Sequence, residues 1–160
     1  MIRWVFQFLL LLALSLWVGG MVFFSAGVAP GIFKAMDRPA AGKLLAELFP
    51  TYYRSGAVCG AIALLVVLLL FVFDSGSRLL RFVQMVLVLL MLAATLYAGW
   101  MLEPRIHDLR TQRTAASLSA QRDAAERSFQ KLHWRSVQVN AGVMALGIAG
   151  LGTLAVRKKA

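Results

Sequence analysis

Charged residues are scarce in this sequence. Only 15% of its 160 residues are Asp, Glu, Lys or Arg, whereas a soluble protein usually has about 25%. Apolar residues make up 60%, and the mean hydropathy is +0.74. A water-soluble globular domain does not have this composition, so we exclude that class of protein.

Cysteine and histidine are almost absent. One cysteine, Cys59, excludes a disulfide within the chain, a cysteine-based zinc site and a redox pair, and we expect it to be a packing residue. The two histidines are His107 and His133. The sequence also lacks a Gly-rich phosphate loop, an HExxH motif and a Gly-x-Ser-x-Gly motif, so no common catalytic signature is present.

Acidic residues are few. The sequence has seven Asp and Glu and seventeen Lys and Arg, which gives a net charge of +10. No basic patch interleaved with aromatic residues accompanies this charge, so we expect no nucleic-acid binding. The basic residues are better explained by lipid headgroups. The predicted partner is therefore the lipid bilayer, with a homo-oligomer or a partner membrane protein left open.

Four stretches contain no charged residue: 4–33, 55–73, 82–102 and 136–156. A helix crosses a hydrocarbon layer of about 30 Å with about 20 residues, so each stretch is long enough for one crossing. The first is about twice as long as the apolar region of a cleavable signal peptide. We predict one four-span membrane domain over residues 1–160, with spans at about 4–27, 55–73, 82–102 and 136–156.

The connections complete the predicted fold. The short polar segment 74–78 predicts a tight turn, which makes the second and third spans antiparallel neighbours. The first long connection shows apolar residues at helical spacing up to Phe49 and Pro50, and the second shows the same pattern after Ser117 or Ser119. The predicted fold class is all-α: a four-transmembrane-helix bundle with two short amphipathic helices on the connecting loops.

The two halves of the sequence resemble each other. Pro30 follows the first span as Pro104 follows the third. Tyr53-Arg54-Ser55 precedes the second span as Trp134-Arg135-Ser136 precedes the fourth. These matches indicate a parallel repeat with a pseudo-twofold axis along the membrane normal. The dense basic residues next to the spans favour both termini in the cytoplasm, whereas the larger number of basic residues on the two long connections favours the opposite orientation.

Small and polar residues within the spans are the candidate functional residues. Glycines allow helix backbones to approach closely in lipid, which predicts helix packing at Gly19, Gly20, Gly56 and Gly60. Polar side chains in a span are costly and tend to face protein or water. The polar side chains of spans three and four lie near the same membrane edge, and this position predicts one site there. Its candidate ligand-binding residues are Trp17, Glu103, Arg105, His133, Ser136 and Asn140.

Two interpretations of this polar cluster remain open. In the first, Glu103 pairs with Arg105, Arg135 or His133 and simply satisfies polar groups at the rim. In the second, Glu103, His107 and His133 bind a metal ion or relay protons, because imidazole and carboxylate suit zinc, copper or iron.

Several short motifs carry a family resemblance. They are Leu16-Trp17-Val18-Gly19-Gly20, Val28-Ala29-Pro30, Gly42, Leu48-Phe49-Pro50-Thr51-Tyr52, Glu103-Pro104-Arg105, and Phe129 with Leu132, His133, Ser136 and Asn140. In this order and spacing the chain resembles the transmembrane protein 205-like family, a domain of unknown function. That resemblance, to a bacterial member of the family, implies a four-span helical protein of the bacterial inner membrane with little established biochemistry.

A more distant similarity, through Trp17-Val18-Gly19-Gly20, links the chain to the copper resistance protein D superfamily. Its haem-containing relatives place a ligand histidine on the first span, where this sequence has none. We therefore predict a non-enzymatic binding or accessory protein with a polar rim site for a small ligand, a metal or a partner. The alternative is a haem- or metal-linked membrane oxidoreductase, so enzymatic activity and the cofactor stay open, with haem or a transition metal as candidates.

Overall fold

The chain is almost entirely helical. The computed structural model describes residues 2–73, 77–115 and 119–156. Within these ranges every residue except Met36, Asp37 and Ser77 lies in a helix, and there is no strand. This confirms the predicted all-α membrane fold.

Six α-helices and two short π-helical segments form the described chain. The α-helices are α1 (Ile2–Phe23), α2 (Ala29–Ala35), α3 (Arg38–Phe73), α4 (Arg78–Tyr97), α5 (Glu103–Ala115) and α6 (Ser119–Val156). The π-helical segment Phe24–Val28 joins α1 to α2, and the segment Ala98–Leu102 joins α4 to α5. The chain therefore forms four long helical segments, two of which each contain a π-helical turn.

Each of these segments is long and apolar enough to cross a membrane. The four helices span Arg3–Ala35, Arg38–Phe73, Arg78–Arg113 and Ser119–Ala155, or 33 to 37 residues each. At 1.5 Å per residue they are about 50 Å long and exceed a hydrocarbon layer of about 30 Å. We call the end of the bundle that holds α2 and α5 the connection end. There the helices extend beyond their uncharged stretches.

The two predicted amphipathic helices are helical, but they are not separate elements. The first continues into the second span as α3, and Pro50 lies inside that helix. The second continues into the fourth span as α6, which begins at Ser119. Proline disfavours a helix interior. The aromatic packing of Phe49 beside it, 5.6 Å from Phe24 between ring centroids, holds this part of α3 in place.

The helices pack in a square. In order around the bundle, α1 lies beside α3, α3 beside α4, α4 beside α6, and α6 beside α1, while α5 lies along α6. The second and third spans are thus neighbours, as predicted, although residues 74–76 of the predicted turn lie outside the described residues. Helices α3 and α6 occupy opposite corners.

The π-helical segments agree with the predicted repeat. One ends at Val28, two residues before Pro30, and the other ends at Leu102, two residues before Pro104. A proline cannot hydrogen-bond to the carbonyl four residues earlier, and its ring collides with that carbonyl. That carbonyl belongs to Ala26 in the first half and to Trp100 in the second, and each is the central residue of a π-helical segment. The wider turn relieves the same collision in both halves.

Candidate functional site

A cavity of about 350 Å³ lies between α1 and α3, in the part of the bundle nearer the connection end. Its lining comes mainly from α1, the first π-helical segment and α3, with one residue each from α4 and α6. The lining residues are Leu16, Trp17, Gly20, Met21, Phe23, Phe24, Val28, Leu48, Thr51, Tyr52, Tyr53, Ser55, Gly56, Cys59, Thr95 and Asn140. None of these side chains is ionised at neutral pH.

Trp17 forms the inner wall of the cavity. Its side chain is only 2% exposed. A Cβ atom on Gly56 would come within 2.8 Å of the indole nitrogen, and one on Gly60 within 2.7 Å of the ring. Both positions must therefore be glycine for α3 to lie this close to the indole. Trp17, rather than a second backbone, occupies the space that the GxxxG spacing creates.

Gly19 and Gly20 differ from the other two predicted packing glycines. Both are exposed, and a Cβ on either would meet no atom within 4 Å. They do not bring helices together within the described chain, because they lie on the side of α1 that turns away from the core. Gly20 instead lines the cavity, and Gly19 does not.

Two hydrogen bonds cross the bundle from α3 to α6 beside the cavity. The Tyr52 hydroxyl donates to Asn140 Oδ1 at 2.9 Å, and the Tyr53 hydroxyl lies 3.2 Å from Ser136 Oγ. A tyrosine is long enough to reach from one corner of the square to the opposite one. These two hydrogen bonds give partners to polar side chains that would be energetically costly to leave unpaired within a membrane-spanning bundle.

An aromatic cluster surrounds these hydroxyls. Phe24 lies 4.7 Å from Tyr52 between ring centroids, Tyr52 lies 5.1 Å from Tyr53, and Phe49 lies 6.0 Å from Tyr53. Such contacts are typical of stabilising aromatic pairs. The cluster fixes the two tyrosines, and it includes Phe24, the first residue of the π-helical segment.

The structure brings only part of the predicted site together. Trp17 and Asn140 line the cavity, and Ser136 contacts the adjacent Tyr53. Glu103 is half-buried at the start of α5, and Arg105 is exposed; neither lines the cavity. The π-helical segment explains the difference, because its wider turn changes the helical register just before Glu103.

His107 and His133 do not form the predicted metal site with Glu103. Among the described residues, no group of three or more His, Cys, Asp or Glu side chains is placed to hold a metal ion. His107 is exposed, and His133 stacks on Phe129 with an angle of 3° between the rings. Neither histidine lines the cavity.

The predicted ion pairs of Glu103 are also not formed. Within the described ranges Glu103 makes no salt bridge with Arg105, Arg135 or His133. The Arg135 guanidinium instead lies 5.6 Å from the centre of the Tyr97 ring. His133 lies three residues before the uncharged part of α6, where partial burial and the charge of Arg110 lower its pKa.

The connection end is held by arginines of α5. Arg113 Nη1 forms a 2.6 Å salt bridge with Glu126 Oε2, and Arg110 Nη1 donates to the Gly42 carbonyl at 2.6 Å. Both guanidinium groups lie over the Phe129 ring, at 5.6 Å for Arg110 and 5.2 Å for Arg113. These contacts join α5 to α6 and to the first turns of α3.

The salt bridge gives a small pH-dependent stability. Hydrogen bonds from Arg113 and Gln130 lower the pKa of Glu126, so its contribution exists at neutral pH and is lost as the pH falls through the lowered pKa. Because both side chains are 35% exposed, we expect Glu126→Gln to cost about 0.2–1 kcal/mol at pH 7 and nothing at pH 2. Unfolding titrations in detergent at both pH values measure this.

Asp123→Asn is the matched control for that substitution. It removes the same charge from an exposed position of α6 one turn earlier. The two variants should differ in unfolding free energy at pH 7 and agree at pH 2. Equal stabilities at pH 7 would show that the Arg113 contact contributes nothing.

A buried polar network at the opposite end was not predicted. Arg81 and Gln84 are 1% and 2% exposed. Arg81 Nη1 donates to Gln84 Oε1 at 2.8 Å, and Gln84 Nε2 donates to Thr153 Oγ1 at 3.0 Å. The spacing of three residues between Arg81 and Gln84 places them on one helix face and was the available sequence signal. Tyr52 was also missed, although the repeat had singled out the adjacent Tyr53.

Comparisons with known proteins identify a family but give no activity. A family model described as "Domain of unknown function (DUF4149)" matches residues 12–115. An uncharacterized protein of Aquifex aeolicus (strain VF5) is 30% identical over 138 residues, which cover 86% of this chain and 88% of the relative. No solved structure matches. The matched model includes the cavity wall on α1 and α3 and ends before α6.

Proposed function

This chain belongs to the DUF4149 family, whose description assigns no function, and we propose that it is a membrane-embedded binding protein for a small apolar molecule taken up from the lipid phase. The cavity between α1 and α3 carries this proposal. Its 350 Å³ lies within the 300–1,000 Å³ of typical ligand pockets. A ligand of modest size would fill it.

The cavity faces the lipid side of the bundle. Leu16 and Phe23 line it, and these side chains are 61% and 70% exposed. In a membrane, surface of this kind on α1 contacts acyl chains rather than water. A ligand dissolved in the bilayer can therefore approach the cavity without crossing an aqueous phase.

The lining favours binding over catalysis. Among the described residues that line it there is no Asp, Glu, His, Lys or Arg, so the side chains most often used in general acid–base catalysis are not among them. Polar atoms come from neutral hydroxyl, thiol and amide side chains, such as those of Tyr52, Cys59 and Asn140. A few placed polar groups in an apolar pocket are what orientation of a bound ligand requires.

Three finer assignments are part of the same proposal. The motifs that resemble the transmembrane protein 205-like family support a relationship to it. The hydropathy of the four long helices supports a place in a bacterial inner membrane. The dense basic residues next to the spans at the other end of the bundle, such as Arg3 and Arg78, support termini in the cytoplasm.

Fluorescence of Trp17 tests the proposal directly. The other tryptophans, Trp4, Trp100 and Trp134, are each more than 60% exposed and are replaced by phenylalanine. In phosphatidylcholine vesicles containing 1-bromodecane, we expect saturable quenching of the buried Trp17, because bromine reaches it only through the cavity. A variant that keeps only Trp100 should show quenching that rises linearly without saturation.

Gly20 and Gly19 provide a matched pair of substitutions in the Trp17 reporter. Gly20→Leu adds a side chain at the cavity, whereas Gly19→Leu adds the same side chain outside it, and neither meets a neighbouring atom at Cβ. We expect Gly20→Leu to weaken saturable quenching at least about tenfold and Gly19→Leu to leave it unchanged. Equal behaviour of the two variants, or no quenching of Trp17, would refute the binding function.

A further inference from the structure

Asn140 is the polar side chain of the cavity whose hydrogen-bonding state is best defined. Its Oδ1 accepts from the Tyr52 hydroxyl at 2.9 Å. That bond uses the oxygen of the amide and orients the group, which leaves the Nδ2 donors for another partner. Within the described chain, Nδ2 makes no hydrogen bond. Asn140 thus lines the cavity with an amide whose Nδ2 has no acceptor among the described residues.

The Tyr52 hydroxyl cannot serve as a competing donor. Its single hydrogen is used by Asn140, and the Phe24 and Tyr53 rings hold the tyrosine in place. The next hydroxyl, that of Tyr53, is engaged with Ser136. The Ser55 hydroxyl donates to the carbonyl of Thr51 in its own helix. Tyr52 and Ser55 therefore have no hydrogen left to offer, whereas the Asn140 amide keeps two.

The remaining lining excludes charged ligands. Among the described residues no cationic or anionic side chain lines the cavity, and an isolated ion in an apolar site is strongly disfavoured unless it is paired. An uncharged ligand that accepts a hydrogen bond complements both this uncharged lining and the Asn140 donor.

Building on the proposed function, we infer that the cavity selects uncharged carbonyl compounds whose carbonyl oxygen accepts a hydrogen bond from Asn140 Nδ2 while the hydrocarbon part fills the space beside Trp17. A carbonyl is an acceptor without a donor of its own, so it pairs with an N–H of the amide and brings no hydrogen that would itself need a partner. A hydrocarbon of the same length fills the cavity but forms no hydrogen bond with Nδ2, so it lacks the contribution of that bond.

Competition against 1-bromodecane in the Trp17 reporter tests the selection. 2-Decanone and decane have the same chain length and are compared at equal mole fraction in the bilayer, which corrects for their partitioning. We expect 2-decanone to displace the brominated probe at about one tenth of the mole fraction that decane needs, since one well-formed hydrogen bond in a site of this kind changes affinity by about tenfold.

The required donor is identified by substitution. Asn140→Leu is combined with Tyr52→Phe, because the freed tyrosine hydroxyl would otherwise donate to the ketone in place of the amide. In this double variant the tenfold preference for 2-decanone should vanish while decane still competes, which also shows that the protein remains folded. Tyr52→Phe alone keeps the Asn140 amide and should retain the preference.

The outcomes separate this inference from the proposed function. If 2-decanone and decane compete equally in the Trp17 reporter, the cavity binds apolar molecules without selecting a carbonyl, and the inference is wrong while the binding function stands. If neither competes and Trp17 is not quenched, both are wrong. A preference that survives in the double variant would also overturn the role of Asn140.

Discussion

Replacing Trp17 by alanine is expected to lower the free energy of unfolding by about 3 kcal/mol. Burial of large aromatic residues is typically worth about 3–5 kcal/mol when they are truncated to alanine. The lower end applies here, because lipid already solvates apolar groups and the loss comes mainly from packing. Trp17 is 2% exposed, and its ring contacts the two positions of α3 where no Cβ would fit, Gly56 and Gly60.

Trp100→Ala is the matched control for Trp17→Ala. It removes the same side chain from the second π-helical segment, where the indole is 68% exposed. In titrations that add sodium dodecyl sulfate to dodecylmaltoside micelles, Trp17→Ala should unfold at a much lower fraction of the denaturing detergent, and Trp100→Ala should remain close to the unsubstituted protein. Equal shifts would mean that Trp17 does not hold α1 against α3.

The sequence predicted those parts of the fold that depend on solvation by lipid. The length of each uncharged stretch determines whether a helix crosses the bilayer, and that property is local. The spacing of Pro30 and Pro104 also predicted the repeat. The sequence did not predict the π-helical segments. A helix can end at a proline or form a wider turn before it, and which of the two occurs depends on how the neighbouring helices pack. The same holds for Pro50, which α3 accommodates without a break.

The candidate site was less predictable. Asn140 was singled out because a polar side chain within a span is costly, and Trp17 belongs to a motif that carries the family resemblance. The hydrogen-bond partner of Asn140 was not predicted. Tyr52 lies on the helix at the opposite corner of the bundle, and the sequence of a single span does not determine the order of the helices around the bundle. Glu103 and His133 were grouped because both lie near the same membrane edge, but neither lines the cavity.

Gly147 reveals a second point of close packing, where α6 meets both α1 and α4. A Cβ atom at this position would collide with Val18 and would lie 3.0 Å from the end of Met91. Val18 and Met91 are both buried, and the β-branched valine has little freedom at χ1. The extra methyl group of alanine therefore has no space unless a helix moves.

We expect Gly147→Ala to destabilise the bundle by about 1–3 kcal/mol, the usual cost of overpacking. The higher helix propensity of alanine, worth up to about 1 kcal/mol, opposes this cost. Gly142→Ala separates the two effects, since it makes the same change in the same helix where a Cβ would meet no atom within 4 Å. It should be neutral or slightly stabilising in the same detergent titration.

The predicted collision between a Cβ at position 147 and Val18 is tested by shortening the side chain at position 18 of α1. Adding Val18→Ala to Gly147→Ala removes the methyl groups that the new Cβ meets, so the double variant should be more stable than the sum of the two single changes predicts. Neighbouring residues in contact typically show such coupling, of about 0.5–3 kcal/mol. Strict additivity, or a Gly142→Ala variant as unstable as Gly147→Ala, would mean that α6 does not approach α1 at this glycine.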